Sequence, residues 1–107
     1  RWTLDLFKND NPPTAILFQT EAVNGNFKGL DELDLRPGKD VALIGYDDLE
    51  IARIHRSSLS VLRPQAKEAG QRVVNILMEV IKGEDPGKFQ EIHQVEMVIR
   101  ETSLPPS

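Results

Sequence analysis

An α/β fold built on a parallel sheet is what this sequence predicts, and three observations carry the prediction. The apolar run Val41-Ala42-Leu43-Ile44 is entered from Pro37-Gly38 and ends in Gly45, Tyr46 and the adjacent carboxylates Asp47 and Asp48. Four successive apolar residues, two of them β-branched, read as a strand buried on both faces. Thr14-Ala15-Ile16-Leu17-Phe18 is a second short apolar strand, and it too ends in a polar trio, Gln19-Thr20-Glu21. Between the two, Val23, Phe27, Leu30 and Leu33 fall at helical spacing, with Thr20 placed to cap the start. Strand, helix and strand within about thirty residues make a βαβ unit, whose strands are parallel and whose crossover is right-handed.

Parallel neighbours end on the same rim. In open α/β sheets ligands sit outside the carboxyl ends of the strands, so the two polar strand ends are the candidate site. Glycine at position 45 would let the backbone approach a ligand closely. Thr20, Glu21, Tyr46, Asp47 and Asp48 would together form an acidic, hydrogen-bonding edge with aromatic neighbours. Such an edge suits neutral polyols, because carboxylates accept hydroxyl hydrogen bonds and aromatic faces pack on the apolar side of a sugar ring. The structural alternative is that Asp47-Asp48 only opens a turn or caps the next helix. A divalent cation is the competing occupant, but no dedicated calcium-loop motif is present, and no metal or cofactor is expected.

The other elements follow in order. Residues 1–8 suit either a helix end or a short strand, and their abrupt, apolar start reads as that of a piece of something longer. Asn9-Asp10-Asn11-Pro12-Pro13 breaks the chain. A short helix is expected in 49–56, and an extended connector from Ser57 to Pro64. Residues 65–82 form the longest helix, with Ala66, Ala69, Val73, Leu77, Val80 and Ile81 on one face and Gly83 as its stop. Gly70 inside that helix implies a close approach by another element. Residues 89–100, rich in β-branched side chains, read as one or two strands, and 104–107 as an irregular tail.

Composition narrows the classes. The chain has 107 residues, 39% hydrophobic and 28% charged, enough for one modest core. A net charge of -4, with thirteen basic residues scattered among seventeen acidic ones, is the wrong sign for a nucleic-acid surface. No apolar run has the roughly 18 to 20 residues of a membrane span, so no membrane partner is expected. Cysteine is absent, which excludes disulfide and thiolate chemistry and fits a reducing cytoplasm. His55 lacks a histidine, cysteine or serine partner at a useful spacing, and His93 reads as a surface or pairing residue. The serines at 57, 58 and 60 lack a nucleophile's glycine frame, so no catalytic residue is expected. An enzyme would have to use Glu21, Asp47 and Asp48 as acid and base or as a magnesium site.

Four segments, in order and spacing, resemble the effector-binding core of the LacI/GalR (lactose-repressor) family of transcription regulators. They are Pro13-Thr14-Ala15-Ile16, Asp40 through Asp48, Leu59-Ser60-Val61 with Pro64 and then Gly70, and Arg100-Glu101-Thr102-Ser103. The resemblance implies two Rossmann-like lobes of the type I periplasmic-binding-protein kind, of which this chain is the last third. It would place 13–57 in the C-terminal lobe, 58–64 in a crossover, 65–88 in a helix of the N-terminal lobe and 89–107 in the return segment and tail.

The resemblance further implies effector binding by Asp47, supported by Tyr46. Thr20 and Glu21 stand where the family usually has Asn-Asp. Arg63 is set where the family usually has a cleft glutamine. A fixed cation there would favour an anionic effector such as a sugar acid or sugar phosphate, unless it pairs with a carboxylate such as Glu21 or Asp47. The family pattern also implies a homodimer, formed near 49–56 and the helix from Ala22, and operator DNA bound only through a headpiece absent from this chain. A sugar-binding receptor of a transport system, with the same fold, is the alternative.

Overall fold

The computed structural model describes residues 2–103, so the expectation for 104–107 lies outside the described residues. By contact the described residues divide into two compact units, 2–63 with 97–103, and 64–96.

The first unit is the α/β unit foreseen. A short helix α1 (Trp2–Leu6) leads through the Asn-Pro break to β1 (Ala15–Gln19), a single 3-10 turn (Thr20–Ala22) and α2 (Val23–Glu32). Then come β2 (Ala42–Tyr46), α3 (Glu50–Ile54) and β3 (Ser60–Arg63). After α4 (Ala66–Ile81), β4 (Glu96–Val98) and a last 3-10 turn (Glu101–Ser103) end the described chain. The sheet order is β1-β2-β3-β4. β1 runs parallel to β2, with Gln19 opposite Tyr46, and β2 runs parallel to β3, with Tyr46 opposite Leu62.

Leu43 of β2 and Val61 of β3 are fully buried, and Val23, Phe27 and Leu30 line one face of α2 in the same apolar cluster, with Val41, Ala52 and Leu59. That is the helical spacing read in the sequence, now given a sheet to pack on. β2 differs from expectation in being closed on one face only: Leu43 and Gly45 are buried, Ala42 and Ile44 half-buried. α1 settles on α2 where Gly29 has no side chain. A Cβ there would lie 2.7 Å from Thr3 Cβ, and the buried Thr3 hydroxyl donates to Asn26 Oδ1 at 2.8 Å.

Two local expectations give way and a third holds in part. The stretch read as an extended connector contributes β3, because pairing to β2 satisfies its backbone. Thr20 does not cap α2; no side chain caps that helix, and the Thr20 hydroxyl is used elsewhere. Residues 89–100 do hold one strand, β4, but it is three residues long, and Ile92 and Val95 are exposed.

In the second unit, α4 carries the predicted apolar face, yet none of its residues is buried, and Val73, Val74, Leu77, Met78 and Ile81 are exposed. The close approach expected at Gly70 is absent: among the described residues a Cβ there would meet nothing within 4 Å. Arg72 grips Glu91 through Nε at 2.8 and 3.0 Å and through Nη2, and His93 Nε2 sits 3.0 Å from the same carboxylate. With Arg72 as the main cause and His93 second, the Glu91 carboxyl is held down to about 2. His93 is thus the pairing residue expected. Among the described residues no helix is long and apolar enough to cross a membrane.

Gly45 serves packing rather than ligand approach. A Cβ on it would lie 2.5 Å from Thr20 Oγ1 and 2.8 Å from Leu59 Cδ2, both on fully buried residues. Gly45→Ala is therefore expected to cost about 1–3 kcal/mol by overpacking. Urea unfolding would show it as a lower midpoint with an unchanged slope.

Candidate functional site

The rim forms where β1, β2 and β3 end together. Because Gln19 pairs with Tyr46 and Tyr46 with Leu62, the turns after the first two strands and Arg63 at the end of the third share one edge. Tyr46 is 38% exposed, and Glu21 and Asp47 are exposed beside it in sequence and register.

Asp47 holds a left-handed backbone conformation, φ 88°, which costs a side-chain-bearing residue on the order of 1–2 kcal/mol. Two contacts fix it. Its N–H donates to Leu62 O at 2.8 Å, and its carbonyl accepts from the Thr20 hydroxyl. Its own Oδ1 accepts the Asp48 N–H at 3.0 Å, the turn-opening bond weighed from the sequence. That leaves the exposed carboxylate with acceptor capacity to spare.

Asp48 turns the other way. Its side chain is 5% exposed and binds three arginines. Arg100 forks onto it, Nη1 to Oδ1 at 3.0 Å and Nη2 to Oδ2 at 3.2 Å, while a further Nη1 bond goes to Leu59 O at 3.0 Å. Arg63 reaches Oδ2 through Nε at 3.0 Å and Nη2 at 2.7 Å, and Arg53 lies 3.3 Å away. The Arg100 hydrogen bonds, with those of Arg63, hold the Asp48 carboxyl below its ordinary range despite the opposing effect of burial. Asp48 is thus a structural hub, with no oxygen left facing a ligand.

The other expected site residues divide. Arg63 does form an ion pair, with Asp48. Thr20 lies at the rim yet is fully buried, its hydroxyl 3.0 Å from Tyr46 O and also within reach of Asp47 O. Sequence reasoning missed Arg100, Thr102 and Ser60 as the parts that lock the rim from beneath. The Thr102 hydroxyl donates to Leu43 O at 2.7 Å and accepts from Ser60 N at 2.9 Å, and Arg100 N donates to Ser60 Oγ at 2.7 Å. Their signal lies in the segments Leu59-Ser60-Val61 and Arg100-Glu101-Thr102-Ser103, whose pattern does not reveal that the two bond to each other. Among the described residues no group of three His, Cys, Asp or Glu side chains gathers as a metal site requires.

A parallel sheet with an exposed acidic residue held at its carboxyl edge is the build of a small-molecule-binding α/β domain. The chain belongs to the periplasmic binding protein-like domain family, whose model matches residues 1–103, in the form carried by LacI-family regulators. It is 31% identical over 94 residues to the HTH-type transcriptional repressor PurR of Vibrio vulnificus (strain CMCP6), covering 87% of this chain and 28% of that protein. To the lactose operon repressor of Escherichia coli (strain K12) it is 27% identical over 106 residues, covering 98% of this chain and 29% of the relative. Among solved structures, the lac repressor dimer bound to operator and the anti-inducer ONPF superposes with a TM-score of 0.80 at 25% identity, covering 97% of this chain and 32% of that one. The chain thus spans about three-tenths of the length of the relatives it matches, and corresponds to part of their effector-binding domain. Those relatives are transcriptional repressors, not enzymes.

Proposed function

We propose that this chain is the part of a LacI-family repressor that presents one wall of an effector cleft. Asp47 receives hydroxyl or amine groups of a sugar or sugar derivative, with Tyr46 and Glu21 beside it. The observation that carries this reading is the exposed Asp47 carboxylate, pinned in a left-handed turn at the shared carboxyl edge of parallel strands. Arg63 takes part through its pair with Asp48, a carboxylate it shares with Arg100 and Arg53.

The mechanism is linkage. An effector that binds one arrangement of the full protein better than another shifts the balance between them, and a coupling of about 1 to 3 kcal/mol changes operator affinity about five- to 150-fold. No side chain is required to do chemistry. In this reading 58–64 is a crossover, α4 belongs to the N-terminal lobe, and the protein is a cytoplasmic homodimer. The dimer contact runs through α2 and the α3 region, where His55 stacks on Phe27 at 4.1 Å between centroids and Arg56 pairs with Asp31. Operator DNA is bound by a separate headpiece.

The test is a calorimetric or thermal-shift screen of sugars, sugar acids and sugar phosphates against the full-length protein. Asp47→Ala should weaken the hit by about ten- to 100-fold, the value of one charged hydrogen-bonding acceptor or more, without unfolding the protein. A hit that survives Asp47→Ala at full affinity would refute the assignment.

A further inference from the structure

We infer that Thr20 is a positioning residue, one that acts on an effector only by holding Asp47 in its left-handed turn; this rests on the reading of Asp47 given above. Three independent features meet at this residue. Its side chain is fully buried, so it offers the cleft no donor or acceptor. Its hydroxyl is spent on the backbone carbonyls of Tyr46 and Asp47, the two residues at the tip of β2. Gly45 makes room for it, since any Cβ there would lie 2.5 Å from Thr20 Oγ1.

The physical problem these features address is the φ of 88° at Asp47. A non-glycine residue relaxes out of that region unless its surroundings over-determine it. The Asp47 N–H is tied to Leu62 O from the β3 side and the Asp48 N–H to Asp47 Oδ1, but neither bond anchors the carbonyl of the Asp47–Asp48 peptide to a neighbouring strand. The bond from Thr20 to the Asp47 carbonyl fixes that peptide from the β1 side. With both held, the Asp47 carboxylate faces outward while Asp48 is delivered to Arg100 and Arg63. A hydroxyl short enough to fold back onto the strand end does this, so the β1 tip supports the ligand-facing residue of the β2 tip without facing the ligand itself.

The test needs no effector. Amide hydrogen exchange is followed in the full chain for wild type, Thr20→Val, Thr20→Ser, Asp47→Gly and the pair Thr20→Val with Asp47→Gly. Loss of the hydroxyl in Thr20→Val should speed exchange at Asp47 and Asp48 about five- to tenfold, the worth of one hydrogen bond, while Leu30 in α2 keeps its rate. Thr20→Ser, which retains the hydroxyl, should stay near wild type. Asp47→Gly, at home at positive φ, should abolish most of the effect of Thr20→Val at the amide of residue 47, judged against Asp47→Gly alone; the Asp48 amide is not compared in this pair, because it loses its bond to Asp47 Oδ1.

Equal acceleration at Asp47, Asp48 and Leu30 would overturn the inference, as would no change at Asp47 and Asp48. A Thr20→Ser variant as fast as Thr20→Val would do the same. Because no ligand is used, failure here leaves the effector screen with Asp47→Ala intact, and failure of that screen leaves this result standing.

Discussion

Asp48→Asn should destabilise the protein by about 2–4 kcal/mol, the range for removing one partner of a largely buried ion pair, taken below its upper end because Arg53 and Arg63 are partly solvated. The substitution keeps the shape but removes the charge that Arg100, only 14% exposed, and Arg63 both use. Arg100 would then be held against Leu59 O with its fork unanswered. The pH profile identifies the cause. Asp48 has a folded pKa below its ordinary 3.8, so its contribution is fully present above that value and is lost as pH falls through the folded one. Denaturant midpoints of wild type and variant should therefore differ most near neutrality and converge in strong acid. A constant gap at all pH values would mean that shape, not charge, is what the variant lost.

A second, milder step belongs to His55. Burial chiefly, and Arg56 next, hold its pKa below 6.5 against the pull of Asp31, and its Nδ1 is buried without a partner. The neutral ring is the form the fold prefers, so stability is lost as pH drops below 6.5 toward the folded pKa. His55→Phe, which keeps the stack on Phe27, should erase this step and leave the one at lower pH in place.

How much of this was legible can be judged from the two aspartates. In the sequence, Asp47 and Asp48 are equivalent: same type, adjacent, after the same strand. What separates them is one backbone angle, and that angle is set by Thr20 and Leu62, 27 and 15 residues away in the chain. No local pattern encodes it. The strands β1 and β2 were legible because alternating element types over thirty residues leave one low-cost topology. β3 was not, because Ser57, Ser58 and Ser60 resemble loop residues. Its place depends on pairing with β2 and on bonds from Arg100 and Thr102, some forty residues further on. Gly45 was legible as a close approach, but what approaches is a neighbouring side chain rather than a ligand. α4 was read from its own periodicity, and a period says which face is apolar, not what covers it.

Those bonds from the end of the described chain make Thr102 the second residue expected to matter greatly. Its hydroxyl stands between the two central strands, giving its proton to Leu43 O and taking one from Ser60 N, and all three residues are fully buried. Thr102→Val preserves volume and branching yet leaves a carbonyl of β2 and an amide of β3 without partners in a site closed to water. At about 1–3 kcal/mol for each orphaned group, the cost should be roughly 2–4 kcal/mol. Thr102→Ser is the control: it keeps both bonds and removes one methyl, worth about 1 kcal/mol. Amide exchange should then rise selectively at Ser60 in the valine variant, since that proton loses its only bond to Thr102. If valine and serine cost the same, the segment from Arg100 to Ser103 holds the sheet by packing, and the hydroxyl has no part in joining β2 to β3.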